Sequence, residues 1–515
     1  MARIIPIRPP IAAPRPVIAG VGFKNRRVGT GVLTAPSIIL LGAGSVNVPA
    51  SGFDFYVSPT GSGSAAAGGT VANPWAIATL DNSTAKARYR GKIVGLLPGT
   101  YNIHAGMQGG YYETPYLNFD GGTISSPTEI IGVDPNPLNT VVTAKLSGVY
   151  GDSSSGRAAM GHNPDVGGTT QTGYVTIANF TLSGTGQRGI QMGRATGHGV
   201  PRFPGMTVRG MYFVDNDSGA YSDNSSVINL GSCVGALVEE NFFYQNYGPE
   251  GPQNGDHWSA VLAWAGRECV IRKNSMVDSG NILFKNDKQV GNVVAQNFLD
   301  LTGWTQASGI QCMQGPKDAS DPSIKSEIYN NIIICDNPLD LRGFTGEYWA
   351  SPFEVHHNTL IAPGSSSFST LGFAAYANAG TLKWHNNIIV ATGVGFRGYV
   401  CVDAQAPDLM NYNMYPAAFY CTFLSQGGGS GATITGYNTL PLWRAAQPAA
   451  STGKEAQSEI AVPTFTGSGA RALALQLTSG SAGKTTGTTD GTTSGGVTEK
   501  GGWGNGVTQI GHGWE

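Results

Sequence analysis

The stretch "EIYNNIIICDN" (residues 327–337) contains a unit that recurs along the chain. An apolar residue, Ile328, lies three positions before a central asparagine, Asn331, and a second apolar residue, Ile333, lies two positions after it. The same spacing occurs in "VEENFFYQN", "IRKNSMVDS", "VAQNFLDLT", "VHHNTLIAP" and "WHNNIIVAT". The central asparagines are Asn241, Asn274, Asn297, Asn331, Asn358, Asn387 and Asn413, and Phe180 and Met211 take this place in two weaker copies.

This repeat predicts a solenoid built from short strands. Successive asparagines are 33, 23, 34, 27, 29 and 26 residues apart, which lies in the range of solenoid repeats. Alternation of apolar and polar residues within each unit indicates strands rather than helix pairs. Unequal spacing fits a parallel β-helix, in which one turn is fixed and the other turns accept insertions. Asparagine tolerates a left-handed bend between strands, and stacked amides can form hydrogen bonds from coil to coil, so we interpret these asparagines as scaffold.

The composition supports an all-β chain. Of its 515 residues, 75 are glycine and only 12% are charged, whereas long surface helices need many Lys, Glu and Arg residues. The formal net charge of −2 gives no general signal for nucleic-acid binding. The sequence has no apolar run as long as a membrane-spanning helix, so neither nucleic acid nor membrane is an expected partner.

The amino-terminal segment is basic and rich in proline. Residues 1–53 contain six Lys and Arg residues and no acidic residue, so the rest of the chain has a formal charge of −8. A basic arm on an acidic body indicates contact with an acidic partner surface, and a solvated tail is the alternative. Prolines at positions 6, 9, 10, 14 and 16 interrupt any apolar export signal, which favours an extended arm.

The six cysteines show no CxxC pair and no zinc-like spacing. Most of them lie in apolar stretches, which predicts buried free thiols. A disulfide framework is not expected in a chain of this length.

Three further stretches have the pattern of a known superfamily. They are "FYVSPTGSGSAAAGGTVANPWAIATL" (residues 55–80), "GKIVGLLPGTY" (residues 91–101) and the closing pattern that ends in "QIGHGWE". Together they resemble right-handed parallel β-helix proteins of the pectate-lyase-like superfamily, from about residue 53 to residue 515. The resemblance implies this fold but no single chemistry, because the superfamily includes lyases, hydrolases, epimerases, phage tailspikes and inert surface proteins.

These patterns divide the chain into three parts. Residues 1–52 form a basic, Pro-rich anchoring arm and linker, residues 53–425 form the β-helix, and residues 426–515 form a closing segment with a Gly/Thr-rich loop. An arm before a β-helix resembles the layout of phage tailspikes. This resemblance implies a homotrimeric virion appendage that binds, and in some cases depolymerises, a cell-surface polysaccharide, with the arm contacting other virion proteins. The alternatives are a secreted polysaccharide lyase and a catalytically inert structural β-helix.

Candidate site residues lie on the strands "NILFK", "GIQCM" and "PLDLR". Alignment of the strand ends stacks Ile282, Ile310 and Leu339 inward. The alignment also predicts two outward columns and adds Trp264 from the preceding coil. The first column contains Leu283, Gln311 and Asp340, and the second contains Lys285, Met313 and Arg342. Because coils are about 4.8 Å apart, Lys285 and Arg342 would lie roughly 10 Å from each other.

This patch suits the chemistry of an acidic sugar. Trp264 could stack on a sugar ring, while a uronate carboxylate would pair with the cations. A lyase needs a base and a cation that stabilises enolate-like charge, so Lys285 is the candidate base and Arg342 the candidate stabiliser. Gln311 is a candidate for substrate binding. The alternative is a pair of surface cations on a solvated sheet.

The insertion "GPEGPQNGDHWSA" (residues 248–260) could wall the same groove. His257 could act there as an acid or base, or it could simply make hydrogen bonds within a turn. Hydrolysis would instead use paired carboxylates from Asp256, Asp287 and Asp340, of which Asp256 and Asp287 could also bind substrate. No cofactor is expected, although the loop with Asp215, Asp217 and Asp223 could hold calcium or form an ordinary polar turn.

Overall fold

The structure is a computed structural model that describes most of the chain from residue 52 to residue 461. The described residues are 52–107, 115–147, 149–151, 157–163, 173–186, 188–193, 203–216, 226–246, 259–264, 266–280, 282–287, 291–302, 308–313, 324–335, 337–342, 353–362, 370–374, 382–391, 397–402, 409–415, 420–424, 434–437, 440–446, 456–461 and the single positions 463, 465, 479 and 481. For some strand residues the backbone alone is described, among them Trp264, Asp287, Met313, Asp340 and Arg342.

In the part of the chain that the structure describes, three sheets of twelve strands each run side by side. In chain order, the strands of sheet 1 are Phe55–Val57, Ile93–Leu96, Thr128–Gly132, Val175–Ala178, Thr207–Arg209, Leu237–Glu239, Val270–Arg272, Val293–Ala295, Ser326–Tyr329, Phe353–His356, Leu382–His385 and Leu409–Asn411. The strands of sheet 2 are Gly99–Asn102, Thr140–Thr143, Thr181–Ser183, Tyr212–Val214, Phe242–Tyr244, Ser275–Val277, Phe298–Asp300, Ile332–Ile334, Thr359–Ala362, Ile388–Ala391, Met414–Tyr415 and Glu459–Ile460. The strands of sheet 3 are Leu117–Asn118, Ala158–His162, Arg188–Gly193, Ser226–Gly231, Ser259–Trp264, Ile282–Asp287, Ser308–Met313, Asn337–Arg342, Thr370–Ala374, Arg397–Val402, Tyr420–Leu424 and Ile434–Tyr437.

Successive coils contribute successive strands to each sheet, and neighbouring strands are parallel except at the end of sheet 3. The last pair of sheet 3 is antiparallel. A small parallel pair joins Phe203–Pro204 to Cys233–Val234. The helices are Ser83–Tyr89, His104–Met107 and Leu440–Ala446, with 3-10 turns at Ile77–Asp81 and Pro137–Asn139. The predicted all-β parallel β-helix is therefore confirmed.

The interior contains columns of apolar side chains from successive coils. In sheet 1 the residue three positions before each repeat asparagine stacks on its equivalent in the next coil, as the repeat predicts. This buried column contains Val208, Val238, Ile271, Val294, Ile328, Val355 and Trp384. Burial of each such side chain is worth about 1.5–3 kcal/mol. These columns give the solenoid its continuous core.

The repeat asparagines form a buried hydrogen-bonded ladder. The side-chain oxygen of Asn274 accepts hydrogen bonds from the backbone N–H and the side-chain amide of Asn241, and the pattern repeats through Asn413. Ser458 ends the ladder, because its hydroxyl accepts from the backbone N–H of Asn413. The prediction that these asparagines are scaffold is confirmed.

The left-handed bend lies one residue earlier than we predicted. The residue before each ladder asparagine has positive φ, for example 54° at Lys273 and 59° at Gln296. The ladder asparagine needs its side chain for hydrogen bonds between coils, so the neighbouring residue makes the bend. The interpretation of the asparagines as the left-handed residues themselves is therefore wrong.

Both ends of the described solenoid are packed against other segments. At the first coils, Asn82 caps the helix Ser83–Tyr89, whose Tyr89 is buried beside Trp75. Near the last coils, Ala461 and Phe465 pack against the outer face of sheet 2. Among the described residues, no helix is long and apolar enough to cross a membrane.

Four of the six cysteines have described side chains, and all four are buried free thiols, as predicted. They are Cys233, Cys269, Cys312 and Cys335. For Cys401 and Cys421 the structure describes the backbone alone.

Candidate functional site

The register of sheet 3 differs from the predicted one at the strand Ile282–Asp287. Lys285 pairs with Gln311, which pairs with Asp340, whereas Arg342 pairs with Met313 and then with Asp287. The predicted column of Lys285, Met313 and Arg342 is therefore wrong by two residues at Lys285. The predicted inward column of Ile282, Ile310 and Leu339 is also wrong at Ile282, because Phe284 rather than Ile282 pairs with Ile310.

The corrected register changes which candidates are neighbours. Lys285 and Arg342 lie two strands apart across the sheet and two residues apart along it, so their Cα atoms are roughly 12 Å apart. Lys285 and Gln311 are both buried, with Leu262 on the other side of Lys285. Asp340 follows Gln311 in this column. The structure thus brings Lys285 together with Gln311 and Asp340 and separates it from Arg342.

The remaining candidates are placed only in part. Trp264 pairs with Asp287 in the column that leads to Met313 and Arg342. His257 and Asp256 lie outside the described residues. The catalytic and substrate-binding roles of all these residues stay predictions.

Asp215, one of the proposed calcium ligands, has protein partners. Its carboxylate accepts a hydrogen bond from the Tyr150 hydroxyl at 2.7 Å and pairs with Lys145 Nζ at 2.8 Å. Lys145 Nζ also lies 2.9 Å from the Tyr150 hydroxyl. Asp217 and Asp223 lie outside the described residues. Calcium binding at this loop stays a prediction, and it would have to compete with the Lys145 ammonium.

A different set of ionisable residues gathers on the outer face of sheet 1. In one outward row, Glu327 pairs with Glu354 and then with Lys383, and in the next, Tyr329 pairs with His356 and then with His385. We call this set the Glu–His cluster. Its members are Lys325, Glu327, Tyr329, Glu354, His356, His357, Lys383, His385 and Asn386.

Two lysines neutralise the two carboxylates of the cluster. Lys325 Nζ lies 2.6 Å from Glu327 Oε1 and 2.8 Å from Glu354 Oε2. Lys383 Nζ lies 2.9 Å from Glu354 Oε1. The Lys325 ammonium donates a hydrogen bond to Glu354. Glu354 is nearly inaccessible to solvent, while the side chain of Lys383 is 38% exposed.

The aromatic members form a stack at the spacing of the coils. The ring centroid of His356 is 5.1 Å from that of Tyr329 and 5.2 Å from that of His385, and the three rings are nearly parallel. The next residue in the row beyond Tyr329 is Ala295, which is too small to stack on the phenol ring. Because Tyr329 is only partly buried, its ring is the aromatic group that a ligand could reach.

A chain of hydrogen bonds couples the tautomers of the two imidazoles. The Asn386 amide nitrogen lies 3.1 Å from His357 Nε2, and His357 Nδ1 lies 2.8 Å from His356 Nδ1. Since an amide nitrogen only donates, His357 Nε2 accepts and His357 Nδ1 carries the proton that it donates to His356. In its neutral form His356 then carries its proton on Nε2, which lies 3.9 Å from Glu327 Oε1.

The surroundings shift several pKa values in the cluster. Burial favours the protonated form of Glu327, but the nearby His356 ring and Lys325 ammonium outweigh burial and lower the Glu327 pKa. Burial lowers the pKa of His357 to about 3, with a further contribution from His356. Burial, together with neighbouring imidazoles and lysines, lowers the pKa of His385 to about 2. At neutral pH, Glu327 is therefore ionised, and His357 and His385 are uncharged.

The scaffold itself does not require this cluster. At the position of Glu327 and Glu354, the three preceding coils have Leu237, Val270 and Val293. Removal of charged groups from water costs several kcal/mol per ion unless good partners compensate, so apolar residues satisfy the fold more simply. Ionisable groups with strongly shifted pKa values are enriched at functional sites.

None of the predicted site residues belongs to this cluster, although the repeat contained a signal for it. Counting back from each ladder asparagine, the outward residues lie four and two positions before it. In the coils of Asn331, Asn358 and Asn387 these positions contain two glutamates, a lysine, a tyrosine and two histidines. At the position four before the asparagine, apolar Leu237, Val270 and Val293 give way to Glu327 and Glu354, and this change is the signal that would have located the site.

The described residues of the cluster offer one group that could hold a metal ion. Oxygen atoms of Glu327 and Glu354 and a ring nitrogen of His356 all lie within 4.8 Å of one another.

Comparison with known proteins shows similarity to polysaccharide lyase structures. No protein-family model and no curated protein matches the sequence. The pectate lyase Pel9A aligns with a TM-score of 0.45 and 14% identity over 87% of this chain and 95% of that one. An alginate lyase from Paenibacillus sp. str. FPU-7 aligns with a TM-score of 0.37 and 14% identity over 59% of this chain and 88% of that one. The PL6 family alginate lyase AlyGC aligns with a TM-score of 0.28 and 12% identity over 67% of this chain and 52% of that one. Such values do not transfer an activity or site residues to this chain.

Proposed function

We propose that the protein is a tailspike-like virion appendage that binds a cell-surface polysaccharide through the outer face of sheet 1. The observation behind this proposal is the Glu–His cluster, which places Glu327, Glu354 and Lys383 in the row where the three preceding coils have Leu237, Val270 and Val293. A concentration of buried polar groups, whose removal from water is costly, supports a ligand-binding role.

An extended polymer suits the geometry of this face better than a compact ligand. Equivalent side chains recur every 4.8 Å or so along straight rows, which matches a chain of repeating hydroxyl groups better than a single small molecule. Tyr329 offers a ring face for sugar stacking, and Lys383 offers an exposed ammonium. The two lysines balance the charges of Glu327 and Glu354, so this row is nearly neutral and the ligand need not be a strong polyanion.

The cluster is better suited to binding than to cleavage. Glycoside hydrolysis needs a carboxylic acid that is protonated near neutral pH, yet the pKa of Glu327 is lowered. Lys325 is a poor base, because its bonds to Glu327 and Glu354 outweigh burial and raise its pKa. The cluster therefore acts by orienting and holding the sugar.

Cleavage at sheet 3 is the second candidate function. The feature that favours it is a buried lysine, Lys285, in one column with Gln311 and Asp340. Elimination would use Lys285 as the base and Arg342 as a more distant stabiliser, with His257 as an alternative acid or base. Hydrolysis would use Asp256, Asp287 and Asp340.

Virion attachment is proposed from the amino-terminal arm. Its six cations and absence of acidic residues suit an acidic surface on another virion protein. A homotrimer is proposed with it, by resemblance to tailspikes, and secretion as a free polysaccharide lyase is the alternative. Intact-mass analysis of the mature protein separates the two, because an anchoring arm is retained whereas an export signal is removed.

The binding proposal is tested on a panel of acidic and neutral bacterial and algal polysaccharides. Lys383→Met and Tyr329→Ala should each weaken binding about tenfold or more, since each removes one direct contact worth about 1.4 kcal/mol. Arg272→Met is the matched control, because Arg272 lies on the same sheet face, is 44% exposed and is outside the cluster. Equal binding by all three variants, or no binding of any glycan, would refute the proposal.

The same panel distinguishes the modes of cleavage. A rise in absorbance at 235 nm indicates the unsaturated product of elimination and would be lost in Lys285→Met. New reducing ends without that rise indicate hydrolysis. Asp256, Asp287 and Asp340 would then be the residues to replace. Binding without either product assigns the protein to recognition alone.

A further inference from the structure

We infer that Glu327, Glu354 and His356 form a binding site for one divalent transition-metal ion of the Zn²⁺ class, from which the Lys325 ammonium is displaced. Metal binding at these side chains does not depend on glycan binding. The three side chains come from two adjacent strands of sheet 1, and their ligand atoms already lie within 4.8 Å of one another.

The His356 ring provides a second, independent observation. It is fully buried, and its Nε2 makes no hydrogen bond within the described part of the chain. This nitrogen points toward Glu327 Oε1 at 3.9 Å, too far for a hydrogen bond. A buried polar atom without a hydrogen bond is costly, and a metal ion bound between His356 Nε2 and Glu327 Oε1 would give this nitrogen a partner.

The geometry needs only a small closure to accept the ion. Zn²⁺ binds histidine nitrogen and carboxylate oxygen at about 2.0–2.2 Å, which places tetrahedral ligand atoms about 3.4 Å apart. The present separations of up to 4.8 Å therefore have to shorten by about 1.4 Å at most, which rotation of a glutamate side chain provides. A site with one imidazole and two carboxylates suits Zn²⁺ or a similar metal, whereas Ca²⁺ prefers six to eight oxygen atoms.

Lys325 would have to leave the two carboxylates for the ion to bind. Its Nζ contacts both carboxylates, and its side chain is 31% exposed, so it can swing into solvent when a dication replaces its single charge. Lys383 stays on the other oxygen of Glu354. Three protein ligands then leave a coordination position open for water or a ligand hydroxyl.

The histidine pair can adjust to the ion without losing a proton. Metal binding through Nε2 requires the His356 proton to lie on Nδ1, from which it is donated to His357 Nδ1. His357 then carries its own proton on Nε2 and donates it to the side-chain oxygen of Asn386 after that amide turns over. Each ring keeps one proton, so His357 and Asn386 are positioning residues that support the metal ligand.

The test is calorimetric titration of the chelator-stripped full-length protein with Zn²⁺, together with the visible absorption spectrum of the Co²⁺ form. We expect one Zn²⁺ per chain, with affinity reduced more than about 100-fold in Glu327→Gln and Glu354→Gln, because each removes a ligand. Glu239→Gln is the matched control, since Glu239 is an ion-paired glutamate on the same sheet face. Lys325→Met should bind about tenfold more tightly or better, because the competing charge is gone.

Thermal unfolding guards against a folding artefact in these variants. Zn²⁺ should raise the unfolding midpoint of the wild type and of Lys325→Met, but not that of Glu327→Gln. Failure of the wild type to bind Zn²⁺ would overturn the inference. Equal affinity in the wild type, Glu327→Gln and Glu354→Gln would also overturn it, because the ion would then be bound elsewhere.

Discussion

Replacement of Asn297 by alanine should show how strongly the asparagine ladder holds adjacent coils together. The Asn297 side-chain oxygen accepts from the backbone N–H of Asn274 at 2.9 Å and from its side-chain amide at 3.0 Å. The Asn297 side-chain amide donates to the carbonyl of Ile271 at 3.0 Å and to the side-chain oxygen of Asn331 at 2.9 Å. Alanine removes all four hydrogen bonds from a fully buried position.

The expected loss of stability depends on the lost hydrogen bonds and on which buried groups are left without a partner. Each hydrogen bond contributes about 1 kcal/mol net, and the buried Asn274 N–H left without an acceptor adds a penalty of about 1–3 kcal/mol. The side-chain amide of Asn274 keeps its bonds to the carbonyls of Val238 and Arg272, so it adds little. We therefore expect Asn297→Ala to lower the free energy of unfolding by about 5 kcal/mol.

Two further variants calibrate this value. Asn297→Ser should cost about half as much, because Ser458 already serves as the acceptor at the end of the ladder. Arg272→Ala, two residues from Asn274, removes only an exposed ion pair with Glu239 and should cost at most about 1 kcal/mol.

Denaturant unfolding measures the global effect, and hydrogen exchange at the Asn274 amide measures the local one. The local measurement matters because solenoid stability is approximately a sum over coils and their interfaces. If Asn297→Ala unfolds within about 1 kcal/mol of the wild type and Asn274 exchange is unchanged, the ladder does not contribute as reasoned here.

Three other outcomes follow from the structure. Burial lowers the pKa of Lys145, but hydrogen bonds to Asp215 and Tyr150 outweigh burial and raise this pKa above 10.5. The Lys145–Asp215 pair therefore stabilises the protein below pH 10.5, and this stabilisation is lost as the pH rises through the higher pKa of the folded state. Asp215→Asn should flatten the alkaline fall in the unfolding midpoint. Burial raises the pKa of Cys269 to about 12, so we expect iodoacetamide to label Cys269 only after unfolding, as mapped by mass spectrometry. Gly132→Ala should cost more than about 3 kcal/mol in a denaturation curve, because the added Cβ would lie 1.9 Å from the Asn179 carbonyl oxygen.

The fold could be predicted because its decisive interactions lie within a short local unit. Ile328, Asn331 and Ile333 span the turn from sheet 1 to sheet 2, and this turn has the same length in every clear copy. Counting along the sequence therefore gives the true register of both sheets. Even here, hydrogen bonding between coils decided a detail that counting could not, because it moved the left-handed bend to the preceding residue.

The register of sheet 3 could not be counted in the same way. The strand that pairs there begins 8 residues after Asn274, 11 after Asn297 and 6 after Asn331, since the turn from sheet 2 accepts insertions. Alignment of strand ends therefore misplaced Lys285 by two residues. Packing of Phe284 over Ile310 sets the register, and such a contact between distant parts of the chain has no local sequence signal.

The division between interior and exterior explains why the site was harder to find than the fold. All inward positions pack the apolar core, so Val294, Ile328 and Val355 are chemically alike and can be recognised by their repetition. Outward positions do not share such a packing requirement, so the same row contains Val293 in one coil and Glu327 in the next. In a solenoid the functional signal is thus a departure from the repeat, and the three coils from Glu327 to His385 contain a concentrated example of it.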